Sequence, residues 1–142
     1  MVLLYVSTHF ATGAALGKIA GSNWLALILG LSSHILLDVL PHHDYRGRRG
    51  IILDSLVTLA LMLWLLPNPS YILWGAIGGA FPDLEVIINR VFFRGGGRRF
   101  FPSHSGILPH PSRVWPEGFI IQASIMVAAL VFLLATLRVT AG

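Results

Sequence analysis

Residues 22–41 read SNWLALILGLSSHILLDVLP. From Trp24 to Leu40 the stretch is apolar almost all round, yet it carries an imidazole and a carboxylate, His34 and Asp38. A helix that is hydrophobic on every side is buried, either in a large core or in a bilayer. It ends at Pro41, because proline disfavours helical geometry in the residue before it. Asp38 follows His34 by four residues, so the two share a helix face. Imidazole nitrogen and carboxylate oxygen converging on one face suit a divalent metal.

The rest of the chain decides between core and bilayer. It has 142 residues, which favours one domain. Apolar residues make up 55% and charged residues 11%, where a soluble domain carries about 25% charged. The mean hydropathy is +0.75. Disorder is excluded, since it requires low hydrophobicity. A disulfide-stapled secreted domain is excluded by the absence of cysteine. The expectation is an all-α, polytopic membrane protein with about five transmembrane helices. Turn signals place them at Val2–Ala20, Trp24–Leu40, Ile51–Leu66, Tyr71–Phe93 and Gly118–Val139. Segments of this length cross a hydrocarbon core about 30 Å thick, the shorter ones with thinning or little tilt. Pro82 is expected to break the fourth helix. No basic region precedes the first apolar stretch, and Lys18 falls where it should end, so a cleaved signal peptide is not expected.

Gly13, Gly17 and Gly21 form a doubled GxxxG, and Gly75 and Gly79 repeat the spacing. Such residues let membrane helices approach closely, within one chain or in an oligomer. Arginines gather in two loops, Arg46, Arg48 and Arg49 in one, Arg90, Arg94, Arg98, Arg99 and Arg113 in the other. The positive-inside rule puts both loops, and with them the N-terminus, in the cytoplasm, and the C-terminus outside. Trp24, Trp64 and Trp74 mark the opposite helix ends, as an interfacial belt would.

The polar residues are placed with equal economy. His9 and His34 lie about equally far from the first hairpin turn, Asp54 and Asp83 from the second. At 1.5 Å per residue all four stand roughly 19–22 Å from those turns, in one layer near the cytoplasmic surface. Intramembrane ionisable residues are costly and read first as functional. His43 and Asp44 follow in the adjoining loop; Glu85, His104 and His110 fall in or beside the same region. The candidate metal ligands are therefore His9, His34, Asp38, His43, Asp44, Asp83, His104 and His110. The competing readings are core hydrogen bonding for a single His, an arginine partner for Asp54, and capping for Asp83.

Thr8-His9-Phe10-Ala11-Thr12-Gly13, Ser33-His34-Ile35-Leu36-Leu37-Asp38, Phe81-Pro82-Asp83-Leu84-Glu85 and Pro102-Ser103-His104-Ser105 resemble the membrane-bound metal-dependent hydrolases, including the LexA-regulated inner-membrane type. That family is distantly similar to zinc-dependent phospholipase C. The resemblance implies His9, His34, Asp38, Asp83 and His104 as ligands and a bacterial inner-membrane location. Asp44, Asp54, His43, Glu85 and His110 rest on the positional argument alone.

The expected function is metal-assisted hydrolysis of a phosphoester, lipid or otherwise membrane-associated, at the cytoplasmic face. Glu85 or Asp54 is the candidate to take the proton of the attacking water. Arg98 and Arg99, beside Gly95-Gly96-Gly97, are candidates to hold the substrate phosphate. Mixed nitrogen and oxygen donors favour zinc, then manganese or iron. Sparse aromatics among the loop arginines argue against nucleic acid as a partner. The alternative is a metal-stapled membrane subunit without activity, favoured by a ligand set that leaves no open position.

Overall fold

The computed structural model describes residues 6–43, 48–94, 96–109, 111 and 116–139. Five helices follow one another: α1 Val6–Ala20, α2 Asn23–Val39, α3 Arg48–Leu65, α4 Ser70–Phe92 and α5 Glu117–Val139. No strand occurs among the described residues. Within a few residues at each end these are the expected segments; residues 1–5 and the arginines Arg46 and Arg113 lie outside the described residues.

Among the described residues the expectation of five spans narrows to two. Ser70–Asn89 within α4 and Glu117–Leu137 within α5 are long and apolar enough to cross a membrane. α1 and α2, at 15 and 17 residues, are too short by that measure. α3 begins on Arg48 and Arg49 and carries Asp54 within its 18 residues.

α1 is the hub: it packs against α2, α3, α4 and α5, and α4 also packs against α2. Glycine makes the closest of these contacts. A Cβ on Gly13 would run into the carbonyl oxygen of Gly75, and one on Gly30 would strike the same atom from α2. A Cβ on Gly79 would run into the carbonyl oxygen of His9. The spacing that could have joined two chains instead locks three helices of one. Above this seam lies the apolar cluster of Phe10, Ala14, Leu65, Ile72, Ala76 and Leu133.

Pro82 does not break the fourth helix; α4 runs through it from Ser70 to Phe92. Proline removes one helical hydrogen bond, a loss that membrane helices tolerate where neighbouring groups satisfy the loosened carbonyls. The missing N–H would have served the Gly78 carbonyl, and the next carbonyl along, that of Gly79, accepts from His34 of α2. Because the helix continues, Asp83 and Glu85 point to different sides: Asp83 is buried, Glu85 only half-buried.

Candidate metal centre

His9 enters from α1, His34 and Asp38 from α2, Asp83 from α4, and His104 from the loop that follows α4. All five are buried. The ring of His9 stacks on that of His34, with centroids 3.9 Å apart and planes at 24°. Asp38 lies between three imidazoles. Its Oδ1 is 3.3 Å from His9 Nε2, and its Oδ2 is 3.1 Å from His34 Nε2 and 3.5 Å from His104 Nε2. The last two nitrogens are 3.4 Å apart, and Asp83 Oδ1 lies 3.9 Å from His104 Nε2. Two overlapping groups could each hold an ion, His9 with His34 and Asp83, and His34 with Asp38 and His104, the donor atoms in each within 4.8 Å of one another.

The tautomers decide what this closeness means. His34 Nδ1 stands 2.7 Å from the Gly79 carbonyl oxygen. A carbonyl only accepts, so Nδ1 carries the proton. When His34 is neutral, its Nε2 presents a lone pair to an Asp38 oxygen, which is itself an acceptor. His104 repeats the arrangement, with Nδ1 facing Glu85 Oε2 at 3.5 Å and Nε2 facing the cluster. Lone pairs that converge at these distances need a cation among them: protons on the rings, or one ion shared by all.

The geometry fits an ion. Zinc ligands at about 2.0–2.1 Å in tetrahedral array stand roughly 3.3 Å from one another, and the closest donor pairs here fall at 3.1–3.5 Å. Metal-bound histidines characteristically donate their second N–H to a carbonyl or carboxylate, which fixes ring and tautomer; Gly79 and Glu85 stand in those places. Two buried atoms of the cluster's own residues, His9 Nδ1 and Asp83 Oδ2, have no hydrogen-bond partner among the described residues. Such atoms call for an ion, water or ligand.

The loop that brings His104 is pinned from α4. Both Glu85 oxygens accept backbone N–H groups, Oε1 from Phe100 and Oε2 from Phe101 at 3.1 Å. One helical turn on, the Asn89 side chain accepts from Gly97 N at 3.1 Å and donates to the Arg98 carbonyl at 3.2 Å. From Phe101 the chain turns tightly, its carbonyl accepting from the backbone N–H of both His104 and Ser105 at 2.9 Å. Asn89 is absent from the candidates drawn from the sequence; its signal is the four-residue step from Glu85 on an otherwise apolar helix.

The remaining candidates lie elsewhere. Asp54 accepts from the backbone N–H of Val6 at 2.7 Å and of Ser7 at 3.3 Å, and from the Ser7 hydroxyl. A carboxylate of α3 thus caps the start of α1 and faces the positive end of its dipole. It holds α1 one turn before His9 and belongs to neither ligand group. His43 is also outside both groups, and its backbone N–H donates to Gln122 Oε1 at 3.1 Å. Its neighbour His42 is the buried one, with Nδ1 2.7 Å from the Leu40 carbonyl. Arg98 is exposed and Arg99 half-buried in the pinned loop. Asp44 and His110 lie outside the described residues.

No family model, curated protein or solved structure matches this chain.

Proposed function

We propose that this chain is a membrane-embedded, metal-dependent hydrolase of phosphoesters. The observation that carries the reading is the buried set of three imidazoles and two carboxylates, with His34 Nδ1 tied to a carbonyl and His104 Nδ1 facing a carboxylate. His9, His34, Asp38, Asp83 and His104 would hold the metal. A mixed set of nitrogen and oxygen donors favours zinc, with manganese or iron next. When bound, such an ion lowers the pKa of water and polarises a phosphoryl oxygen.

The chain's own residues divide the remaining work. Glu85 and Asp54, the acceptors suggested by the sequence, are engaged by backbone N–H groups. Asp83 Oδ2 has no hydrogen-bond partner among the described residues. In this reading Asp83 would hold the metal through Oδ1, the oxygen that faces His104, and Oδ2 takes the proton. Glu85 positions His104 and its loop, and Arg98 offers a cation for the substrate's phosphate.

Membrane embedding is supported by the surface. Large apolar side chains are exposed along α2, α3, α4 and α5, among them Ile28, Leu36, Leu53, Leu56, Ile88 and Val131, while His9, His34, Asp38, Asp54 and Asp83 are buried. Extended apolar surface on a monomer marks contact with protein or membrane. Trp24 and Trp74 are exposed near the hairpin ends away from the metal centre, as interfacial anchors would be. The loop arginines favour a cytoplasmic metal centre and N-terminus, and the family resemblance favours a bacterial inner membrane.

One observation favours a second reading, a metal-stapled subunit without activity: His9, His34 and Asp38 are wholly buried. The two part on one experiment. Metal content and hydrolysis of phosphodiesters and phospholipids are measured on the detergent-purified protein, on His34→Ala and on Asp38→Ala. The hydrolase reading expects an active wild type and variants that lose metal and turnover together. A metal-loaded wild type that turns over none of these substrates would establish the staple, and a metal-free protein would remove both.

A further inference from the structure

A cavity lies beside the metal centre. It is a groove of about 540 Å³ between α4 and the pinned loop, walled by Leu84, Ile88, Phe93, Phe100 and Phe101, with Arg98 among its lining residues. Its volume falls in the usual range of ligand sites, about 300–1,000 Å³. We propose that this groove holds an acyl chain of an anionic phospholipid, with the phosphate at Arg98. The proposal rests on the membrane-embedded hydrolase reading and names its substrate class.

Three features select this occupant. First, the groove opens on the exposed side of a helix long and apolar enough to cross a membrane. Phe81, Leu84, Ile88 and Phe92 are exposed on α4 at helical spacing and continue the groove's apolar wall. Second, the dimensions agree. The Asn89 side chain donates to the Arg98 carbonyl, and from Asn89 to Phe81 the helix advances about 12 Å at 1.5 Å per residue. One leaflet of a hydrocarbon core about 30 Å thick has a similar depth. Third, the polarity is that of a lipid: one exposed guanidinium toward the loop end, hydrocarbon below it.

The groove also adjoins the chemistry. Phe101 lines it and meets the His34 ring edge-on at 5.2 Å between centroids. Glu85 lines it and faces His104. A lipid in the groove would have its tail along α4 and its polar part at the wall of the metal centre. Burial in a bilayer gives an acyl chain no hydrophobic gain over bulk lipid, so selection falls to shape and to the Arg98 charge.

The test is photolabelling of the full chain in vesicles of phosphatidylethanolamine and phosphatidylglycerol containing a diazirine-acyl phosphatidylglycerol. The readout is adduct density on the peptide covering residues 81–101, relative to α5, whose exposed Val127, Val131 and Leu134 report ordinary surrounding lipid. Metal content is measured on the same samples. Wild type should be enriched over α5. Ile88→Trp, at an exposed groove position, should bring the ratio down to that of α5, while Val131→Trp on α5 should not reduce it. Arg98→Gln should lower the enrichment about fivefold, the loss of one arginine's attraction to an anionic headgroup. Equal labelling of both helices in wild type, or enrichment unmoved by Ile88→Trp, overturns the proposal. Cross-linked dimers through residues 81–101 in place of lipid adducts overturn it in favour of a second copy of the chain. Enrichment in a metal-free protein would sustain the groove and remove the hydrolase; metal without enrichment would overturn the groove and leave the hydrolase to be decided by turnover.

Discussion

His34 illustrates how one residue's two ends are determined separately. Its four-residue step to Asp38 is visible in the sequence and fixes their common face. Its tether to Gly79 is not, because it depends on how α2 meets α4 beside Pro82. The same limit applies to Glu85. Sequence places a carboxylate in the right layer, but its partners are backbone N–H groups of a loop, which no residue type announces. Asp54 was legible as a group needing a partner, and that partner proved to be the start of another helix. Two predictions follow from these contacts. Glu85→Gln keeps the shape but loses the charge facing His104, so metal affinity should fall about 10- to 100-fold, the usual cost of losing such a supporting group. Competition with a chelating dye measures it, and an unchanged affinity would dismiss Glu85 as a positioning residue. Asp54→Ala should lower stability by about 1 kcal/mol through the lost cap, read from melting in detergent, with metal stoichiometry unchanged.

At the scale of elements, apolar runs and proline or glycine punctuation were enough to place five helices. The glycine spacing marked α1 and α4 as helices suited to close packing, and the structure brings the two together, since only backbone fits at Gly13, Gly75 and Gly79. Pro82 misled, because a proline ends an isolated helix more readily than one packed among neighbours, where the loss of one helical hydrogen bond is tolerated. This seam also carries the metal centre: Gly79 touches the His9 carbonyl and accepts from His34. Gly79→Ala should therefore cost about 1–3 kcal/mol or more by overpacking, and should lower metal occupancy although no ligand has changed. Gly96→Ala, whose Cβ would meet only the Phe93 carbonyl oxygen at 3.5 Å, serves as the comparison and should stay within about 0.5 kcal/mol of wild type. Melting and metal content on both variants check this; full occupancy in a destabilised Gly79→Ala would separate the seam from the site.

Among the described residues, His9, His34, Asp38, Asp54, Asp83 and His104 are buried while large apolar side chains are exposed on the helix faces, so the centre's charge must be balanced from within. An ion held by His9, His34, Asp38, Asp83 and His104 would link four parts of the chain, α1, α2, α4 and the loop after it. Its binding free energy then adds to the stability of the bundle, because a ligand held by the folded state alone stabilises it. Protons compete for the same imidazole lone pairs. Metal affinity should therefore fall as pH drops, because a protonated imidazole cannot hold the ion. The melting temperature of the metal-loaded protein should therefore stand above that of the chelated protein near neutrality, and the gap should narrow as acid displaces the ion. The sign is fixed by the competition: acid removes the metal's contribution, and alkali within the stable range does not. Melting curves with and without chelator from neutral pH into acid make the measurement. A gap that persists in acid would mean an ion held by carboxylates without the imidazoles. A protein whose melting ignores the chelator at every pH would have protons, not metal, between His34 and Asp38.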